Sequence, residues 1–78
     1  MGVTAYVLIQ TEVAKAAEVA AQVRNIEGVT AADDVTGPYD IIVHAQAESL
    51  DDLGRLVVRR IQHIAGITTT VTCPVVNI

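Results

Sequence analysis

The residues best suited to chemistry lie close together in the middle of the chain. Gly37-Pro38-Tyr39-Asp40 sets a backbone that can approach a ligand, an aromatic wall and a carboxylate within four positions. Amide N–H groups around Gly37 can reach a carboxylate, and Asp40 can receive an α-ammonium, so the group suits an amino acid. The same four residues also read as a hairpin turn closed by an Asx-type hydrogen bond from Asp40. Gln62, in the last turn of a predicted helix, carries an amide that both donates and accepts, or is simply a solvated helix-end residue. Thr68, Thr70 and Thr72 follow on a predicted strand, where threonine is first of all a good strand former. Gly37, Tyr39, Asp40, Gln62, Thr68 and Thr70 form the candidate ligand-binding set.

Other chemistry is poorly supplied. His44, His63 and Cys73 are separated by 19 and 10 residues, which matches no zinc spacing, and both histidines stand among apolar neighbours in the sequence. No metal or cofactor is expected. Ser49 is the only serine and is accounted for as a helix cap, so no nucleophile, base and orienting group assemble, and the chain is not expected to be an enzyme. A formal net charge of −4 and a pI of about 4.8 argue against direct contact with nucleic acid, which needs a basic face. No apolar run approaches the roughly 20 residues of a membrane span, and no signal peptide is recognisable. With a single cysteine there is no disulfide framework, so a soluble protein of the reducing cytoplasm is expected. No linker divides the chain, and residues 1–78 are read as one domain.

The elements that must position these residues alternate regularly. Val3 to Gln10 is β-branched and aromatic, a first strand. Thr11 is placed to cap a helix whose apolar stripe is Val13, Ala16, Ala20 and Val23, ending at Gly28. Val29 to Thr36 reads as a second strand, its Asp33 and Asp34 suggesting an exposed edge. Ile41 to Ala47 is a third. Ser49, with Asp52 three residues on, resembles a capping box for a second helix buried through Leu50, Leu53, Val57, Ile61 and Ile64. Gly66 stops that helix, and Ile67 to Cys73 is a fourth strand running on to Pro74 and the valines beyond.

The halves repeat with an offset of 38 residues: Thr11 falls on Ser49, Val19 on Val57, Val23 on Ile61, Gly28 on Gly66 and Thr30 on Thr68. A doubled βαβ unit predicts an α+β, ferredoxin-like βαββαβ fold, a four-stranded antiparallel sheet with two helices on one face. Strand alternation groups Tyr6, Leu8, Ile42 and His44 with Thr68, Thr70 and Thr72 on one side. Neither side is polar enough to be a solvated face, so a second copy is expected to pack sheet against sheet.

Gly-Pro-Tyr-Asp (37–40) followed by Ile-Ile-Val, and Gly-Ile-Thr-Thr-Thr-Val-Thr (66–72) after the helix end Ile-Gln-His-Ile-Ala (61–65), resemble the effector-binding domain of Lrp/AsnC feast/famine transcriptional regulators. The resemblance covers essentially the whole chain. It implies an amino-acid-binding and oligomerisation module whose dimers assemble into an octamer or similar ring, with ligand between dimers at this turn. In the typical member such a domain follows a DNA-binding helix-turn-helix domain, which this sequence does not show. The resemblance therefore implies a stand-alone module working beside a DNA-binding Lrp/AsnC relative. Two alternatives stay open on the residues alone: a small dimeric barrel enzyme using His44, and an ACT-like regulatory domain.

Overall fold

The alternation of the first strand decides how the rest of the chain packs. In β1 (Val3–Thr11), Ala5, Val7 and Ile9 are completely buried, while Tyr6 between them is 45% exposed. A strand sends successive side chains to opposite faces, so one face of β1 belongs to the core and the other does not. A computed structural model describes residues 2–76 and gives the order β1, α1 (Ala16–Val23), β2 (Val29–Asp34), β3 (Ile41–Ala47), α2 and β4 (Ile67–Pro74). Here α2 runs without a break from Leu50–Asp52 through a π-helical segment, Leu53–Val58, to Arg59–Gln62. The four strands form one antiparallel sheet in the order β2-β3-β1-β4, with both helices over one face, as the doubled unit predicts.

The core lies between that face and the helices. Ala5, Val7 and Ile9 meet Ile41, Val43 and Ala45 of β3, and Val19, Ala20 and Val23 of α1 join Leu53, Val57 and Ile61 of α2 above them. Each fully buried Val, Ile or Leu contributes on the order of 1.5–3 kcal/mol, so this layer holds the sheet and helices together. The repeat is visible in the backbone as a reciprocal exchange. Gly28 accepts from Gln46 N–H at the end of β3 (2.7 Å), and Gly66 accepts from Glu12 N–H just after β1 (2.8 Å). Each half thus ties the glycine turn after its helix to the first strand of the other half, and the helices, expected to run to these glycines, already end at Val23 and Gln62. Gly28 and Gly66 have φ of 98° and 99°, a region that excludes most side chains. At Gly28 a Cβ would also lie 2.8 Å from both Gln46 O and Val57 Cγ2.

Several details depart from the sequence reading. Thr11 does not cap α1: it is still the last residue of β1, and α1 starts at Ala16 with no side-chain cap. A turn through Ala14, at φ 66°, separates the two, and leaves Val13 outside the stripe at 95% exposed. Ser49 does cap α2, its hydroxyl accepting from Asp52 N–H at 3.1 Å. The return arm of the capping box is missing because the Asp52 carboxylate pairs with Arg55 at 2.8 Å. Leu50 precedes the buried stripe and is 57% exposed. The stripe itself, Leu53, Val57 and Ile61, repeats every four residues, a spacing that stays on one helix face as the segment passes from π-helical to α-helical geometry. β2 ends at Asp34, two residues early, and Val35 N–H then closes the hairpin on Asp40 O.

The largest correction concerns β4. Thr70 is opposite Ile9 and Thr72 opposite Val7, so these threonines lie on the helix side, while Val71 and Cys73, opposite Leu8 and Tyr6, lie on the open face. A strand of near-identical threonines carries no internal contrast between its faces, and only pairing with β1 fixes them. The open face consequently holds two rows across the sheet, Ala31-His44-Tyr6-Cys73 and Asp33-Ile42-Leu8-Val71.

Candidate functional site

The turn between β2 and β3 is held from three sides. Val35 N–H donates to Asp40 O (2.9 Å), closing the loop, and Asp40 N–H donates to Ile9 O (2.9 Å), continuing the ladder onto β1. Gln10 Nε2 donates to Pro38 O at 2.8 Å. Asp40 makes no local Asx bond; its Oδ2 accepts from Thr11 N–H at 2.8 Å and from the Thr11 hydroxyl at 3.3 Å. That pins the half-buried carboxylate through one oxygen. Oδ1 has no hydrogen-bond partner among the described residues. Gly37 has φ 125°, and no atom lies within 4 Å of where its Cβ would be, so the turn is open to approach from outside. Tyr39, half-buried, stands between them.

Gln62 and Thr70 form a second group. Gln62 Nε2 reaches Thr70 Oγ1 at 3.5 Å, tying the end of α2 to the helix side of β4, and the amide oxygen has no hydrogen-bond partner among the described residues. Thr68 is exposed at the start of β4. Both groups lie at one end of the sheet, where β1 ends and β3 and β4 begin. Thr11 links them: it holds Asp40 on one side and is opposite Ile67 on the other. β1 lies between the groups, so one chain does not gather all six residues into one pocket. Gln10 and Thr11, which orient the turn, escaped the sequence reading. The signal was there, since in a βαββαβ sheet the end of β1 must run beside the start of β3.

A cleft of about 830 Å³ opens at the opposite end of the sheet, between Val3, Gly28, Gln46, Glu48, Leu56 and Arg60 among others, and none of the six candidate residues lines it. The histidines do not converge either. His44 is half-buried on the open face, and His63 is exposed at the end of α2 with Nδ1 2.8 Å from Arg59 O. Neither is enclosed by apolar side chains as the sequence suggested. Among the described residues no three His, Cys, Asp or Glu side chains cluster as a metal site would require. No helix among them is long and apolar enough to cross a membrane.

Residues 4–78 match the model of the Lrp/AsnC ligand binding domain. The chain belongs to the Lrp/AsnC family. An uncharacterised HTH-type transcriptional regulator of Pyrococcus furiosus is 33% identical over 75 residues, 92% of this chain and 50% of that protein. The structure of Escherichia coli AsnC superposes with a TM-score of 0.87 at 28% identity, over 96% of this chain and 51% of that one. A Neisseria meningitidis transcriptional regulator, solved as a complex with L-Met, has the same fold, with a TM-score of 0.82 at 21% identity over 96% of this chain and 50% of that one. The Lrp/AsnC domain here thus spans about half the length of these relatives.

Proposed function

We propose that this Lrp/AsnC domain is an amino-acid sensor and assembly module, residues 1–78 acting as one unit. Copies pair through their open sheet faces, and the amino acid binds where dimers meet in a higher ring. The observation that carries the ligand site is Asp40: one carboxylate oxygen is anchored to Thr11 and the other is left without a partner, beside a glycine turn with empty space around it. That oxygen receives the α-ammonium, amides near Gly37 receive the carboxylate, and Tyr39 walls the side chain. Gln62, Thr68 and Thr70, separated from Asp40 by β1, contribute from the neighbouring dimer. This division explains why the six residues share an end of the fold without sharing a pocket.

The open face supports pairing. Its two rows present Tyr6, Leu8, Ile42 and Val71, with Asp33 on the edge strand as their only charge. Four strands about 4.8 Å apart, each about 25 Å long, give about 500 Å² of plane per copy and about 1,000 Å² for a pair before side-chain relief adds to it, where specific interfaces begin. A second copy offers the same rows about a two-fold axis. An amino acid bound between dimers favours the ring, and a preference of about 1–3 kcal/mol is enough for regulation. The module then acts on transcription through a DNA-binding Lrp/AsnC relative and does not itself grip DNA. A thermal-shift screen of the twenty amino acids, read beside light scattering, tests this. One or a few amino acids should raise the melting temperature and the particle mass together, and a flat screen would remove the sensor reading.

A further inference from the structure

On the open face, His44 is held in one tautomer. Thr30 Oγ1 lies 3.0 Å from His44 O and 2.6 Å from His44 Nδ1. A hydroxyl has one proton, and a carbonyl can only accept, so Thr30 donates to the carbonyl and His44 Nδ1–H donates to Thr30. The unprotonated ring nitrogen is therefore Nε2, which has no hydrogen-bond partner among the described residues. The ring stands beside Tyr6, centroids 5.0 Å apart, in the row that continues to Cys73.

We infer that His44 makes the face-to-face dimer acid-labile. The inference rests on the pairing proposed above and goes beyond it. Below neutral pH the imidazole gains a proton on Nε2, and burying that charge against a copy of the same apolar rows is costly without a counter-charge. The groups around it offer little relief. Tyr6 on β1 and Cys73 on β4 gain no charge in acid, and Thr30 and Ala31 on β2 are uncharged. Asp33, beside Ile42 in the next row of β2, is the one carboxylate on these rows, and it is exposed at the edge. Glu48 follows the end of β3, and the helices lie across the other face.

The dimer therefore holds fewer protons than two monomers. It is favoured where the imidazole is neutral and weakens as pH falls and the ring gains its proton. With one His44 per copy, dissociation takes up as many as two protons, so Kd rises up to about a hundredfold per pH unit there.

Sedimentation equilibrium of the full chain at about pH 7.5 and about pH 5.5 tests this, around the free imidazole value. The parent and His63→Gln should lose affinity at least about tenfold on acidification, while His44→Gln, uncharged at both, should not. A parent dimer of unchanged affinity, or a His44→Gln dimer that weakens just as much, overturns the inference and leaves the pairing intact. A monomer at the higher pH defeats the pairing and the inference with it. If His44→Gln does not fold, the parent alone decides. Its His44 C2–H resonance should move at a lower pH in concentrated than in dilute samples, and identical titrations would refute the proposal.

Discussion

Asp40 has two duties, and a pair of substitutions separates them. In Asp40→Ala the Thr11 N–H, held at 2.8 Å in a partly buried position, loses its acceptor together with the weaker bond from the Thr11 hydroxyl. An orphaned donor costs about 1–3 kcal/mol, and at about 4–8 °C per kcal/mol for a domain of this size the melting temperature should fall by about 10 °C. Asp40→Asn keeps an oxygen for Thr11 and loses only the charge. Its melting temperature should stay near the parent's, while binding of the best amino acid weakens about ten- to a hundredfold, the value of about 1.5–3 kcal/mol for a charge-assisted contact. Scanning calorimetry of the three proteins without ligand, and titration calorimetry with it, read the two effects independently. An Asn variant that binds as tightly as the parent would take Asp40 out of the ligand site. An Ala variant that melts with the parent would show that the Thr11 anchor contributes little, and the account of the turn would fail.

Leu8→Asp should leave the sheet's core layer untouched and convert the dimer to monomer, because Leu8 sits mid-row on the open face between Ile42 and Val71; an unchanged dimer by sedimentation would refute the face assignment. Gly28→Ala should destabilise by about 2 kcal/mol or more, read by urea unfolding, since the new Cβ meets the Gln46 carbonyl and Val57 at 2.8 Å in a left-handed backbone; a neutral effect would deny the tight crossing of the halves. Gel shift with random and promoter duplexes should show no sub-micromolar binding by the chain alone, given its net charge of −4, and tight binding would overturn the division of labour with a DNA-binding relative.

The parts of the fold legible in the sequence were those where local chemistry and tertiary packing agree. Gly28 and Gly66 announced sharp turns because few other residues adopt their backbone angles, although the helices themselves end earlier, at Val23 and Gln62, and Ser49 announced its cap because nothing else competes for its hydroxyl. Thr11 looked the same as Ser49 and behaved differently. It is still in β1, where its N–H and hydroxyl meet Asp40, 29 residues away, and α1 begins only at Ala16. The faces of β4 were illegible for a different reason: Thr68 to Thr72 differ too little to say which side is inside until β1 pairs with them. Of the candidate site, the turn was legible as a turn. What holds Asp40 was not, because Gln10 and Thr11 act across strands.

The internal repeat also indicates where a site can and cannot be. An offset of 38 carries the glycine turns and much of the core from one half to the other, and the reciprocal bonds at Gly28 and Gly66 follow it. The same offset carries Asp40 onto Gly2, so the carboxylate that precedes β3 has no counterpart before β1. The two ends of the sheet are therefore alike in backbone and unlike in chemistry. Gly2 and Gly28 line the large cleft, which occupies the end without the carboxylate. The tight turn, the anchored aspartate and the empty space beside Gly37 occupy the other. Packing explains what the halves share. It does not require Asp40 in only one of them, and this departure from the repeat, Asp40 against Gly2, supports the turn as the proposed ligand site.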